Sequence, residues 1–241
     1  MEIQIFKTLN DLNRSFTEWL MDILDEKGKI TIALSGGSTP KSLFGYWSQL
    51  PEGEIDWTKI KFFWGDERCV PPSDEESNFK MTKDHLFDNI SVPQENIFRI
   101  RGENNPSNEA KVYGNLLNDE VNVVNGIPAF DIIILGLGDD GHTASIFPHE
   151  IELWNSNENC VVATHPETGQ KRVSITGKVI NAADNVAFLV TGESKSDKVR
   201  KIIEHPLESE KKYPAALVQP ESGNLFWFLD KKAADEIVGD G

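Results

Sequence analysis

The chain has 241 residues, a length that suits one large α/β domain or two small ones, and its 39% of hydrophobic residues argue against a disordered chain. Its formal net charge is −15 and its pI is about 4.7, whereas proteins that bind nucleic acid or anionic membranes are usually basic. The two cysteines, Cys69 and Cys160, are too few for a disulfide scaffold, so we expect two plain thiols.

The first residues, MEIQIFKTLNDLN, lack a basic region followed by an apolar stretch, so we expect no signal peptide. No apolar run approaches the roughly 20 residues of a membrane span. We therefore expect a cytoplasmic protein with a single domain over residues 1–241. We also expect no nucleic-acid or membrane partner, and a monomer or weak homo-oligomer.

Short, continuous apolar runs predict buried strands, and apolar residues at helical spacing predict helices between them. The predicted strands are Ile30–Leu34, Ile60–Trp64, Phe130–Leu135, Val161–Thr164, Arg172–Thr176, Val186–Val190 and Leu225–Leu229. The predicted helices are Asp11–Glu26, Pro40 to about Leu50, Asn78–Phe87, Asn108–Val124 and Lys195–Glu204. This alternation predicts an α/β fold whose mostly parallel sheet has helices on both faces. Ligands of such sheets bind outside the carboxyl ends of the strands, so we expect chemistry in the loops after Leu34, Trp64, Leu135 and Val190.

The first of these loops has the composition of a phosphate-binding turn. Ser35, Gly36, Gly37, Ser38 and Thr39 lie between a strand and a helix predicted to begin near Pro40. The first amides of a helix have no intrahelical acceptor and carry partial positive charge, and glycines let the backbone wrap an anion. The alternative is an ordinary strand–helix turn, and the GxxxxGK[ST] spacing of a P-loop is absent.

A phosphate site also requires cations near the strand ends. Arg172 begins the strand RVSIT, and Lys195 follows the strand VAFLV in the segment TGESK. Each could be a solvated surface charge, but both positions fall beside the predicted ligand-binding edge of an acidic protein. A forked arginine and a point-charge lysine are suitable partners for one phosphate.

The loop after Leu135 matches the dinucleotide-binding pattern G-x-G-x-x-G only formally. Its variable positions include Asp139 and Asp140, which would place carboxylates against a pyrophosphate. Pro148 follows too soon for the long helix that the fingerprint requires. We therefore predict no dinucleotide site.

The same loop exposes a histidine at a strand end. Asp140-Gly141-His142 places a carboxylate two residues before an imidazole that can accept and donate protons near neutral pH. A surface histidine is the alternative. The other histidines have no comparable setting and are interpreted as structural or solvated. Asp-Gly-His alone supplies too few ligands for a metal site, so none is predicted, and the absence of GxSxG argues against a serine hydrolase of the α/β type.

The loop after Trp64 contains the charged run Asp66-Glu67-Arg68. Two interpretations remain open. The run could bind sugar hydroxyls or an anion, or it could form a surface ion-pair cluster.

Together, these motifs resemble a known family. SGGSTP, FFWGDERCVPPSDEESNF, GLGDDGHTASIFP, RVSIT and VTGESK occur in the order seen in the 6-phosphogluconolactonase family. The resemblance implies hydrolysis of 6-phosphoglucono-δ-lactone to 6-phosphogluconate in the oxidative pentose phosphate pathway. It also implies a Rossmann-like α/β fold, shared with glucosamine-6-phosphate deaminase, and neither metal nor organic cofactor.

The resemblance assigns roles to individual positions. It implies that Ser35–Thr39 bind phosphate and that Arg68, Arg172 and Lys195 bind the anion. His142 corresponds to the catalytic histidine, with Asp140 as its supporting carboxylate. Asp66 is a candidate substrate contact.

Two other functions are compatible with parts of this pattern. The deaminases have a motif that resembles Gly-His-Ile-Ala-Phe-Asn-Glu, in which a carboxylate closely follows the histidine. In this chain no carboxylate follows His142 until Glu150, which lies beyond Pro148. A sugar-phosphate-sensing domain of a transcription regulator would need a DNA-binding segment, and the first 28 residues hold one predicted helix. The sequence favours the lactonase.

Overall fold

The computed structural model of the chain describes residues 1–238. Its strands are β1 (Glu2–Phe6), β2 (Ile30–Leu34), β3 (Ile60–Trp64), β4 (Asp66–Arg68), β5 (Val123–Val124), β6 (Ile127–Pro128), β7 (Ile132–Leu135), β8 (Cys160–Thr164), β9 (Lys171–Ile175), β10 (Val186–Val190) and β11 (Leu225–Asp230). Its α-helices are α1 (Leu9–Lys27), α2 (Ser38–Trp47), α3 (Asn78–Thr82), α4 (Pro106–Glu120), α5 (Gly177–Asn181), α6 (Ser196–Glu204), α7 (Pro206–Ser209) and α8 (Asp235–Val238).

A parallel sheet of six strands forms the centre, in the order β1-β11-β10-β7-β2-β3. Every residue of β7 and β10 is buried. These strands can therefore be apolar throughout, as is usual where a parallel sheet is covered on both sides. The predicted parallel α/β architecture is confirmed.

Alternate side chains of β11 show that both faces of the sheet are covered. Phe226 and Phe228 pack against α1, with the rings of Trp19 and Phe226 4.9 Å apart and those of Phe16 and Phe228 5.2 Å apart. Trp227 points to the opposite face, where it lines a groove with residues of α6. The helix predicted at Asp11–Glu26 is thus present as α1 and buries its apolar stripe.

Two predicted strands belong to a second, smaller sheet. β8 and β9 pair antiparallel with each other, and β9 also pairs antiparallel with β4. In this register Arg68 lies opposite Arg172, and Asp66 lies opposite Ser174. The small sheet therefore brings the charged loop after β3 beside the RVSIT strand.

Some element boundaries differ from the predicted ones. The helix predicted to begin near Pro40 begins at Ser38, so Ser38 and Thr39 form its first turn rather than the preceding loop. The helix predicted at Asn78–Phe87 is α-helical only to Thr82 and continues as a π-helix over Lys83–Phe87. Strand β1 was not predicted.

The sheet order places a ligand crevice at its centre. β3 lies beside β2 at one edge of the sheet, whereas β7, β10 and β11 lie in that order on the other side of β2. The strand order therefore reverses between β2 and β7, which is where ligands bind in open α/β sheets. Over residues 1–238, no helix combines the length and the apolar character needed to cross a membrane.

Candidate active site

A pocket of about 290 Å³ lies at this crevice, a size that suits a small molecule. The loops after β2, β3, β7 and β10 all contribute to its wall, as the sequence predicted. The predicted site residues that line it are Ser35, Gly36, Gly37, Ser38, Thr39, Asp66, Arg68, His142, Arg172 and Lys195. Asp140 lies behind this wall, against His142.

The Asp140–His142 pair has the geometry of an oriented base. Asp140 Oδ1 lies 2.6 Å from His142 Nδ1 and accepts the backbone N–H of His142 at 3.0 Å. Partial burial opposes ionisation of Asp140, but the hydrogen bond and charge of His142 outweigh it and lower the pKa of the carboxyl to about 2. An ionised Asp140 can only accept, so in the neutral imidazole that serves as the base Nδ1 carries the proton and Nε2 presents a lone pair.

The glycines of the first loop serve two different needs. A Cβ on Gly36 would lie 2.0 Å from Asn78 Oδ1, so this glycine makes room for a neighbouring side chain. Gly37 caps α2 with a φ of 105° and ψ of 173°, a conformation essentially restricted to glycine. A Cβ there would meet nothing within 4 Å, so the backbone faces open space at the start of the helix.

The start of α2 is held against the loop after β10. Thr39 Oγ1 and Thr191 Oγ1 lie 2.8 Å apart and share a hydrogen bond. Among residues 1–238, no side chain caps α2, whose first amides have no intrahelical acceptor. The pocket wall at this point therefore offers backbone donors and the positive end of a helix.

Arg68 and Arg172 lie side by side in the small sheet. Arg68 Nη1 donates to the carbonyl of Glu76 at 2.5 Å, and its Nε is buried without a partner among the described residues. Arg172 is 9% exposed, and its Nη1 approaches Ser145 Oγ at 3.5 Å. Burial lowers the pKa of Arg172, with Asp66 opposing this effect and Arg68 adding to it. Two neighbouring guanidinium groups thus bring positive charge to this part of the pocket, beside the carboxylate of Asp66.

Lys195 is paired rather than isolated. Its Nζ lies 2.6 Å from Asp139 Oδ1, and Ser194 Oγ donates to the same oxygen at 3.0 Å. These contacts, the hydrogen bond from Lys195 above all, lower the pKa of Asp139. Sequence reasoning placed Lys195 at the pocket but did not anticipate its partner.

Asp66 and Glu67 are buried, unlike members of a surface ion-pair cluster. Asp66 Oδ2 accepts from Ser145 Oγ at 2.5 Å, and its Oδ1 lies 3.4 Å from Asn78 Nδ2. Glu67 accepts from the backbone amides of Arg68, Asn78 and Phe79 and from Ser77 Oγ. Within residues 1–238, no salt bridge joins Asp66 or Glu67 to Arg68. The two carboxylates instead order the pocket wall.

Phe147 links the imidazole to one of the arginines. Its buried ring lies 4.7 Å from the ring of His142, measured between centroids. The guanidinium carbon of Arg172 lies 5.5 Å from the centre of the same ring. His149 and His165, interpreted from the sequence as structural or solvated, also contact Phe147. Phe147 therefore fixes the positions of several site groups without lining the pocket.

The cysteines lie outside the pocket. Burial raises the pKa of the Cys69 thiol to about 11, and burial raises that of Cys160 further. Residues 1–238 contain no group of three or more histidine, cysteine or acidic side chains placed to hold a metal ion.

Several residues of the site were not predicted from the sequence. Asp139 and Thr191 follow predicted strands, so the strand-end rule itself could have identified them. Asn78 comes from α3, and Phe147 acts from behind His142. No local sequence signal marks either, because their positions depend on packing between distant segments.

Known proteins resemble this chain over most of its length. Residues 7–227 match the family model of glucosamine-6-phosphate isomerases/6-phosphogluconolactonase. The 6-phosphogluconolactonase of Haemophilus influenzae is 48% identical over 205 residues, which cover 85% of this chain and 86% of that protein. That of Treponema pallidum is 45% identical over 197 residues, covering 80% and 82% of the two chains.

Solved structures extend the likeness to nearly the whole chain. The crystal structure of the devB protein has a TM-score of 0.93 and 41% identity, covering 98% of this chain and 99% of that one. A monomeric glucosamine-6-phosphate deaminase has a TM-score of 0.83 at 21% identity, covering 98% and 100% of the two chains. The fold is therefore shared between lactonases and deaminases.

Proposed function

The chain belongs to the family of glucosamine-6-phosphate isomerases and 6-phosphogluconolactonases, and from this premise we propose that it is a 6-phosphogluconolactonase. It hydrolyses 6-phospho-D-glucono-1,5-lactone to 6-phospho-D-gluconate, a step of carbohydrate metabolism in the oxidative pentose phosphate pathway. The observation that carries the proposal is the Asp140–His142 pair at the wall of a pocket with three cationic side chains. A single cytoplasmic domain is part of the same proposal, and the family match over residues 7–227 supports its extent. Residues 239–241 of the predicted domain lie outside the described residues.

The phosphate of the substrate binds at the start of α2. The amides that follow Gly37 have no intrahelical acceptor, and the hydroxyls of Ser38 and Thr39 stand beside them. Lys195, Arg68 and Arg172 line the same pocket and supply positive charge within an acidic protein. Charge-assisted contacts of this kind fix the sugar so that its lactone carbonyl faces His142.

His142 performs the proton transfers. Nε2 removes a proton from a water molecule while the water oxygen forms a bond to C1 of the lactone. The tetrahedral intermediate then breaks its bond from C1 to the ring oxygen, which takes the proton from the imidazolium and leaves as a hydroxyl. Asp140 acts as a positioning residue, since it holds Nδ1–H and stabilises the imidazolium.

A small set of hydrogen-bond donors can stabilise the oxyanion of the tetrahedral intermediate. Within the loop after β7, the amides of Gly138 and Gly141 already donate to the carbonyls of His142 and Gly138. The backbone amides that remain in this loop and the guanidinium groups of the pocket are the candidates. Asp66 contributes by holding Ser145, beside Arg172.

Hydrolysis of freshly prepared 6-phosphogluconolactone, followed above its spontaneous background, tests the proposal. Glucosamine-6-phosphate is tested in parallel for ammonia release. We expect enzymatic lactone hydrolysis and no ammonia. Ammonia release without lactone hydrolysis would assign the chain to the deaminases instead.

A further inference from the structure

Lys195, proposed to bind phosphate, makes its closest charged contact with a carboxylate of the same pocket. Its ammonium nitrogen lies 2.6 Å from Asp139 Oδ1, and both residues line the pocket wall. Ser194 donates a second hydrogen bond to that oxygen at 3.0 Å and so holds the carboxylate toward the lysine. A phosphate that uses Lys195 has to share or replace this contact.

The two partners differ in how firmly the pocket encloses them. The Lys195 side chain is 22% exposed, whereas that of Asp139 is 70% exposed. Asp139 can therefore swing into solvent more easily than Lys195 can leave the pocket. Its pKa is lowered by the hydrogen bond from Lys195, so it carries a negative charge at neutral pH.

Hydrolysis changes the charge of the bound molecule. The lactone group is neutral, whereas the acid that it yields ionises to a carboxylate, so the product carries one more negative charge than the substrate. Asp139 is followed directly by Asp140, whose carboxylate is also ionised. Asp139 at the pocket wall and Asp140 behind it therefore repel the product somewhat more than the substrate, in addition to the contact that Asp139 makes with Lys195.

Resting on the proposed function, we propose that Asp139 is an affinity-setting residue that competes with the phosphate for Lys195 and so weakens retention of the product. Asp139 lies outside the proton-transfer steps. Its main effect is competition for the phosphate, which substrate and product share, and repulsion of the new carboxylate adds a smaller penalty for 6-phosphogluconate.

Calorimetric titration with 6-phosphogluconate at low salt tests this proposal. Asp139→Asn should tighten binding by about two- to fivefold, the range expected from release of an exposed ion pair. The gain should shrink as salt is added, because exposed charges are screened. Unchanged or weaker binding would contradict the proposal, and weaker binding would indicate that Asp139 orients Lys195 for the ligand.

Two further variants separate competition from general charge effects. Glu193→Gln makes the same change in net charge two residues from Lys195, but Glu193 makes no side-chain hydrogen bond or salt bridge among the described residues. Equal tightening in Glu193→Gln would contradict the proposal. In a Lys195→Ala background, Asp139→Asn should tighten binding less than in the wild type, and an equal or larger gain there would indicate simple repulsion and overturn it.

Lactone hydrolysis by the wild type distinguishes failure of the role of Asp139 from failure of the proposed function. If the wild type hydrolyses lactone and binds the product, but Asp139→Asn does not tighten binding, only the role of Asp139 is overturned. If the wild type neither hydrolyses lactone nor binds 6-phosphogluconate, the proposed function fails, and the role of Asp139 fails with it.

Discussion

Gly138 is the position where one added methyl group should displace the imidazole of the active site. A Cβ there would lie 2.1 Å from His142 Nδ1 and 2.7 Å from Asp140 Oδ1. Non-bonded atoms in contact are about 3.5 Å apart, so in Gly138→Ala the imidazole has to retreat by about 1 Å or more. A misplacement of about 1 Å can lower a rate on the order of 10²-fold. We therefore expect kcat for the phosphorylated lactone to fall about a hundredfold, with KM changed little, because the phosphate contacts are untouched.

Steady-state kinetics and a thermal melt of each variant measure this effect. Gly136→Ala is the matched control, since a Cβ there meets only Ser35 Oγ, at the ordinary distance of 3.7 Å. Neither glycine has a positive φ, so backbone strain does not separate the two variants. If a folded Gly138→Ala enzyme had the same kcat as Gly136→Ala, the observed position of the imidazole would not be required for catalysis, and the argument would be refuted.

Three further changes test other parts of the site. Arg172→Ala and Lys195→Ala should each raise KM for the phosphorylated lactone roughly 10- to 100-fold, because a charge-assisted contact contributes about 1.5–3 kcal/mol. Equal losses on unphosphorylated gluconolactone would place these residues at the reaction centre or in the fold instead. Gly37→Val should lower the melting temperature, because its φ of 105° strains a β-branched residue, and should abolish the stabilisation by added phosphate or 6-phosphogluconate. A full ligand-induced shift in this variant would show that phosphate binds elsewhere. Phe147→Leu should lower kcat and raise KM together, since its ring contacts both His142 and Arg172, and Phe147→Tyr should restore most of the loss. If Phe147→Leu changed stability alone and left kcat and KM normal, Phe147 would act only as a residue of the hydrophobic core.

The elements that the sequence predicted best are those with local causes. β2, β3, β7 and β10 are continuous apolar runs, and their carboxyl ends meet because they are parallel neighbours in one sheet. The loops after these strands could therefore be predicted to share one edge of the sheet. Asp140 and His142 were paired by their spacing around a single glycine, which is also a local feature.

Features that depend on long-range pairing were not predictable in the same way. The position of Arg172 opposite Arg68 requires the register of two antiparallel strands separated by more than one hundred residues in the chain. β1 lies at the sheet edge with Ile3 and Ile5 exposed, so it lacks the buried apolar pattern that identified the other strands. The ion pair of Lys195 with Asp139 depends on two loops that meet only in the folded sheet.

The start of α2 shows why a helix boundary was misplaced. Proline favours the first turn of a helix, which suggested a start near Pro40, but the first turn also includes Ser38 and Thr39. The cap is Gly37, which has no side chain to reveal it as a capping residue. The correction strengthens the phosphate interpretation, because it moves two hydroxyl residues into the turn whose amides lack acceptors.

The central claim is that His142, held by Asp140, removes and returns the proton during hydrolysis of a phosphorylated lactone. The most direct measurement is kcat of the wild type and of His142→Ala on freshly prepared 6-phosphogluconolactone, corrected for spontaneous hydrolysis. We predict a loss of roughly 10²–10⁴-fold with a modest change in KM, the scale for removal of an acid–base group. A correctly folded His142→Ala variant with near-normal kcat would contradict the claim.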